Sequence, residues 1–96
     1  SNVFVPNTFS PNEDGSNDMF YPRGRGINRV KFLRIFNRWG EIVYERYEFP
    51  VNNSIYGWDG KQKGIKANAD VYIYQLEVYC QNGDVISSTG NVSLIR

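Results

Sequence analysis

The sequence predicts an all-β fold, a sandwich of two sheets, and three observations carry that expectation. Val, Ile and Thr number nine, eight and two, and Phe, Tyr and Trp add fifteen; these side chains suit a pleated, half-buried surface and lose rotamer freedom in a helix. The strong helix formers are scarce, with two Ala and three Leu. Strand-like runs recur at roughly 10–15-residue spacing, separated by turns drawn from nine Gly, four Pro and eleven Asn, and no amphipathic helical period appears.

Taken in order, Val3-Phe4-Val5 reads as an edge strand stopped by Pro6. Residues 6–18 are turn chemistry almost throughout, with Phe9 the one apolar anchor tucked beneath the loop. Met19-Phe20-Tyr21 is a brief strand ended by Pro22, and Arg23-Gly24-Arg25-Gly26 reads as a turn. Ile27 to Trp39 is the first long strand, with Leu33 and Ile35 toward the core; Asn37-Arg38-Trp39-Gly40 turns it back into Ile42–Tyr47, with Gly40 in the left-handed region. Residues 48–69 form an irregular connection holding Trp58-Asp59-Gly60, read as a turn with Trp buried, Asp capping backbone and Gly at positive φ. Val71 to Cys80 alternates cleanly, placing Tyr72, Tyr74, Leu76 and Val78 on one face. Gln81-Asn82-Gly83-Asp84 is a hairpin turn into Val85–Ile95, with Val92 and Leu94 inward and Gly90 a bulge. Asp70-Val71-Tyr72 has the look of a tyrosine corner, which together with about seven antiparallel strands makes the sandwich immunoglobulin-like.

Size and charge exclude several functions. At 96 residues the chain is one domain, too small for a cleft between two domains. Eleven basic and ten acidic residues give a net charge of +1, against nucleic acid as the main partner. Histidine is absent, which removes the commonest general base and zinc ligand. Cys80 has no partner for an internal disulfide. No catalytic constellation survives, so the expectation is a protein that is not an enzyme and requires no cofactor. No run approaches the length of a membrane helix. Ser1-Asn2 leads directly into a strand, so the sequence reads as a domain excised from a longer protein.

Three surface features are candidate sites. Asn12, Asp14 and Asp18 stand around Gly15 with oxygen ligands at calcium-loop spacing. Tyr21 occupies the twelfth position, so the loop is not an EF-hand; the competing reading is an Asx-turn whose side chains bond their own backbone. Trp39, Trp58, Tyr44, Tyr47 and Tyr56 are either a sugar-binding platform or packing. Arg23, Arg25, Arg29, Lys31, Arg34 and Arg38 make one half locally basic, and Lys61, Lys63 and Lys66 cluster in a later loop. Each group reads as solvated surface or as a docking face for an acidic partner.

Five ordered segments carry a resemblance. Phe4 to Asp18, Ile35-Phe36-Asn37-Arg38-Trp39-Gly40 with Val43-Tyr44-Glu45, Trp58-Asp59-Gly60, Asp70 to Tyr74, and Gly90 to Arg96 together resemble the gliding-motility-associated C-terminal domain. That is the type B C-terminal sorting domain of the type IX secretion system. Glu13 stands where that family usually has Gly, and Asp70 where it usually has Gly or Thr. The resemblance implies that residues 1–96 are a single C-terminal sorting domain of a larger surface protein. It implies a signal that directs its cargo across the outer membrane to the cell surface or medium. The implied partners are the type IX translocon, its associated outer-membrane proteins and the cargo domains preceding it in the same chain. Recognition then falls on a folded surface or an exposed strand edge, with Lys61, Lys63, Lys66 and a solvent-facing Arg96 as candidate contacts. The alternative is an immunoglobulin-like adhesion or carbohydrate-binding module.

Overall fold

The computed structural model describes residues 2–15 and 17–96; Ser1, and Ser16 within the Asn/Asp loop, lie outside the described residues. The chain forms β1 (Asn2–Phe4), β2 (Thr8–Phe9), β3 (Arg23–Arg25), β4 (Ile27–Phe36), β5 (Ile42–Phe49), a 3-10 turn (Ser54–Tyr56), β6 (Lys61–Gln62), β7 (Ile65–Lys66), β8 (Asp70–Cys80) and β9 (Val85–Leu94). The main sheet runs β2-β9-β8-β4-β5. Against its inner face packs a second layer made of the β1–β3 ribbon and an isolated bridge between Phe20 and Trp58, and the largely exposed β6–β7 hairpin follows that bridge. The fold is the expected all-β, immunoglobulin-like sandwich.

The core follows the alternation of the long strands. Leu33 and Ile35 of β4, Tyr72, Tyr74, Leu76 and Val78 of β8, and Val92 and Leu94 of β9 are all buried. The second layer reaches them mainly through aromatic rings. Phe9 lies 5.8 Å from Phe20 and 5.4 Å from Trp58; Phe20 meets Tyr74 at 5.7 Å and Trp58 meets Tyr72 edge-on at 5.1 Å. Such tilted and edge contacts suit the ring quadrupoles. Large rings are what let a second layer of short strands fill the space that a full second sheet would fill.

Four expectations change. Among the described residues there are nine strands, and β2 pairs with β9 in parallel, because the chain returns along the last strand after Pro6 rather than folding back in a hairpin. Arg23-Gly24-Arg25 is a strand, not a turn: it pairs with Asn2–Phe4, and the Asn52 side-chain amide donates to the Gly24 carbonyl and accepts from the Gly24 N–H at 3.0 and 2.9 Å. Both partners are remote in sequence, so local propensity missed them. The 48–69 segment holds a second hairpin, whose Lys63-Gly64 turn has φ 52° and 80°, the both-positive pattern of a type I′ turn. Gly90 is not a bulge; it pairs in register with Tyr74, and a Cβ there would stand 2.8 Å from the Tyr74 hydroxyl. Register shifts fall instead at Asn28 and Lys31 of β4, against β8, and at Val43 of β5, against β4.

Candidate recognition surface

The tyrosine corner is present. Tyr72 is buried and its hydroxyl donates to the Asn68 carbonyl at 2.7 Å, holding the chain where it enters β8. Burial first, then the neighbouring Asp70 charge, raise the pKa of that phenol, while Arg96 opposes them. Beside it, Arg38 donates to the Asp70 carboxylate at 2.7 Å, joining the β4–β5 turn to the start of β8. The Arg38 hydrogen bond, then the Val71 N–H, hold the Asp70 carboxyl below its ordinary range. The departure from the family's small residue at position 70 thus supplies an ion pair.

Trp58-Asp59-Gly60 is the turn its residues dictate. Trp58 is fully buried and its indole N–H donates to the Lys61 carbonyl at 2.9 Å. Asp59 accepts from the Lys61 N–H at 3.0 Å, and Gly60 has φ 79° with a Pro11 ring where a Cβ would be. Ala67 donates its N–H to the Gly60 carbonyl at 2.8 Å, closing the base of the β6–β7 hairpin.

Arg96 is solvent-facing, as expected, but it also belongs to this base. The residue is exposed, yet its guanidinium donates to three carbonyls: Ala67 at 2.9 Å, Gly60 at 2.8 Å and Pro11 at a longer 3.4 Å. The planar fork of Arg suits several acceptors at once. Arg96 therefore clamps the hairpin base onto the end of β9, with a longer contact reaching the first loop. Nothing in the local sequence signals it, since the acceptors are backbone atoms 29, 36 and 85 positions away.

The structure brings the three lysines together on the hairpin that Arg96 holds. Lys61 and Lys66 are cross-strand partners, and Lys63 sits in the turn. Among the described residues none of them has a carboxylate within ion-pair distance; the ion pairs are Arg29–Glu48, Lys31–Glu77, Arg34–Glu45 and Arg38–Asp70. Lys61 and Lys66 also line a 160 Å³ hollow with Glu13, Asp18 and Asp59. Like charges placed opposite each other weaken a strand pair.

In the Asn/Asp loop, the Asp18 carboxylate accepts from the N–H groups of Asn12, Glu13 and Gly15 at 3.2, 3.0 and 2.8 Å, and the Asn12 side chain accepts from the Asp14 N–H at 3.2 Å. This is Asx-turn geometry, with side chains holding backbone. Among the described residues no three Cys, Asp or Glu side chains converge as a metal site. Glu13 has φ 64°, which explains why Gly suits that position.

The aromatic residues do not form one platform. Trp58 is core, Tyr44 is half-buried and donates its hydroxyl to the Tyr56 carbonyl at 2.6 Å, and Phe49 stacks on Tyr56. Burial, opposed by Arg46, raises the pKa of the Tyr44 phenol. Trp39 differs, being 78% exposed, as does Ile65 at 74%. Ile65 is not legible in the sequence, because a lone apolar residue between Gly64 and Lys66 has no periodic signal.

This small sandwich carries a cationic hairpin and exposed apolar side chains on its surface. Its sequence matches the family model of the CHU_C type IX secretion signal domain over residues 3–94, and the chain belongs to that family. It is a C-terminal sorting signal that directs export across the outer membrane to the cell surface or medium. The crystal structure of CopC from Methylosinus trichosporium OB3b has a similar fold, with a TM-score of 0.60 at 12% identity over 98% of this chain and 89% of that one. No curated protein sequence matches the chain. The context that follows is a type IX translocon and a cargo, and no helix among the described residues is long and apolar enough to cross a membrane.

Proposed function

We propose that the β6–β7 hairpin is the cationic face through which an acidic component of the outer-membrane export machinery recognises the folded domain, which performs no chemistry itself and requires no cofactor. The observation that carries this reading is the placement of Lys61 opposite Lys66 with Lys63 in the turn, all without ion-paired carboxylates among the described residues. A chain of net charge +1 has no general excess to account for it. Unfavourable local arrangements that persist in a folded domain point to function. Such charges raise encounter rate and select the partner more than they add affinity. Arg96 acts by holding the hairpin base, and the cargo domains follow as passengers. Strand addition at the sheet edge is less well supported. β5 is that edge, and its Glu45, Arg46 and Glu48 are exposed charges of the kind that blunt edge pairing.

The test is a periplasmic reporter fused ahead of residues 1–96 in a type IX-competent strain. The wild-type fusion reaches the surface or medium, and the Lys61→Glu/Lys63→Glu/Lys66→Glu fusion stays in the periplasm while the isolated variant melts normally. Normal export of that folded variant would overturn the reading.

A further inference from the structure

Between the β4–β5 turn and the β6–β7 hairpin lies a cleft of 390 Å³, with Trp39 and Ile65 on its lips and Val43 and Tyr72 among the residues beneath. That volume falls within the range of about 300–1,000 Å³ typical of ligand pockets and accommodates a large side chain. Trp39 is 78% exposed, yet it is held on a hydrogen-bonded turn. Asn37 Oδ1 accepts from the N–H groups of Trp39 and Glu41 at 3.0 and 2.9 Å, Gly40 donates to the Asn37 carbonyl at 3.0 Å, and Asn37 donates to the Glu41 carbonyl at 2.9 Å. Ile65 is presented equally firmly, one residue after the type I′ turn. Two preorganised apolar side chains facing one cleft lose little entropy on binding, which is how a small contact gains affinity.

Charge selects the occupant. Asp70, on the cleft wall, has its carboxylate engaged by Arg38, and Glu41 accepts from the Asn37 amide at 2.8 Å. Lys63 and Lys66 line the same cleft, and among the described residues neither has a carboxylate within ion-pair distance. A second copy of this domain would bring lysines against lysines. A net charge of +1 gives no basis for tracking a nucleic-acid backbone.

We infer that this cleft takes one large apolar side chain from an acidic, extended segment of a partner protein, with Trp39 and Ile65 gripping the side chain and Lys63 and Lys66 pairing with flanking carboxylates. The inference deepens the docking role proposed above and rests on it.

The probe is a short, terminally blocked peptide of Glu and Asp with one central Phe, compared with the same peptide carrying Ala instead. Titrated into the 96-residue chain, the Phe peptide should shift Trp39 emission to the blue, since buried Trp58 gives a constant background. By calorimetry it should bind roughly tenfold tighter than the Ala peptide or better, as expected for burying one aromatic side chain. The double variant Trp39→Ala/Ile65→Ala should erase that preference while melting normally, and Lys63→Glu/Lys66→Glu should weaken both peptides. Equal binding of the two peptides, still lost in the lysine variant, would overturn the apolar grip and leave the cationic docking face standing. Binding of neither peptide, or a preference for Phe that survives in the double variant, would also overturn it. So would concentration-dependent dimerisation abolished by Trp39→Ala, which would give the cleft to a second copy.

Discussion

Removing the Arg96 fork tests whether one exposed side chain holds the recognition hairpin to the sheet. Arg96→Gln deletes two well-formed bonds, to Ala67 at 2.9 Å and Gly60 at 2.8 Å; the 3.4 Å contact to Pro11 is too long to weigh heavily. A hydrogen bond from a charged group contributes about 1.5–3 kcal/mol when the acceptor is otherwise stranded. Here water reaches the site and the Gly60 carbonyl keeps its bond from Ala67, so about 0.5–1 kcal/mol per bond applies, or about 1–2 kcal/mol together. For a domain of this size each kcal/mol moves Tm by about 4–8 °C, so the variant should melt about 4–16 °C lower. Arg96→Lys should recover less than half, since one ammonium cannot span the fork's acceptors. The assay is thermal unfolding by circular dichroism, joined to amide exchange at Ala67, whose protection should fall selectively. Unchanged melting and unchanged Ala67 protection in Arg96→Gln would refute the clamp. Charge reversal to Glu would set a carboxylate against the same carbonyls, so an export defect in that variant would report lost structure rather than lost docking.

Leu76→Ala should cost about 2–5 kcal/mol in chemical denaturation, because the side chain is fully buried in the middle of β8 and its removal leaves a cavity. Glu13→Gly should stabilise the domain by about 0.5–1 kcal/mol by relieving a left-handed backbone, read as a higher Tm; a lower Tm would mean the strain is absent. Melting should be equal in calcium and in chelator, whereas Asp18→Ala should lose about 1–2 kcal/mol with the acceptor of three N–H groups; a calcium-dependent rise in Tm would restore the ion-binding reading. The Asp70 carboxyl is held below its ordinary range when folded, so the Arg38 pair stabilises the fold above that range. Its contribution is lost as pH falls through the lowered value. Asp70→Asn should therefore melt below wild type near neutral pH, and the gap should close in acid.

What the sequence determined by itself was everything that local chemistry decides. The alternation in β8 selects Tyr72, Tyr74, Leu76 and Val78 for burial, since a strand has only two faces and one must leave water. Gly40, Gly60 and Gly83 lie at positive φ where an unbranched backbone was needed, and Tyr72 finds its carbonyl four residues upstream. The tertiary structure decided what depends on distant backbone. Arg23–Arg25 becomes a strand only because Asn2–Phe4 and Asn52 supply partners, and Gly90 is small because the Tyr74 ring crosses it. Arg96 reads as a charge beyond the last apolar residue, and the fold makes it a clamp on carbonyls at the hairpin base, with a longer contact to the first loop. Trp39 and Ile65 are 26 positions apart on different hairpins, and only the packing of those hairpins makes them two sides of one cleft. Side-chain type and period are written residue by residue, whereas a backbone acceptor is the same atom group at every position, so its use is visible only once the chain has folded.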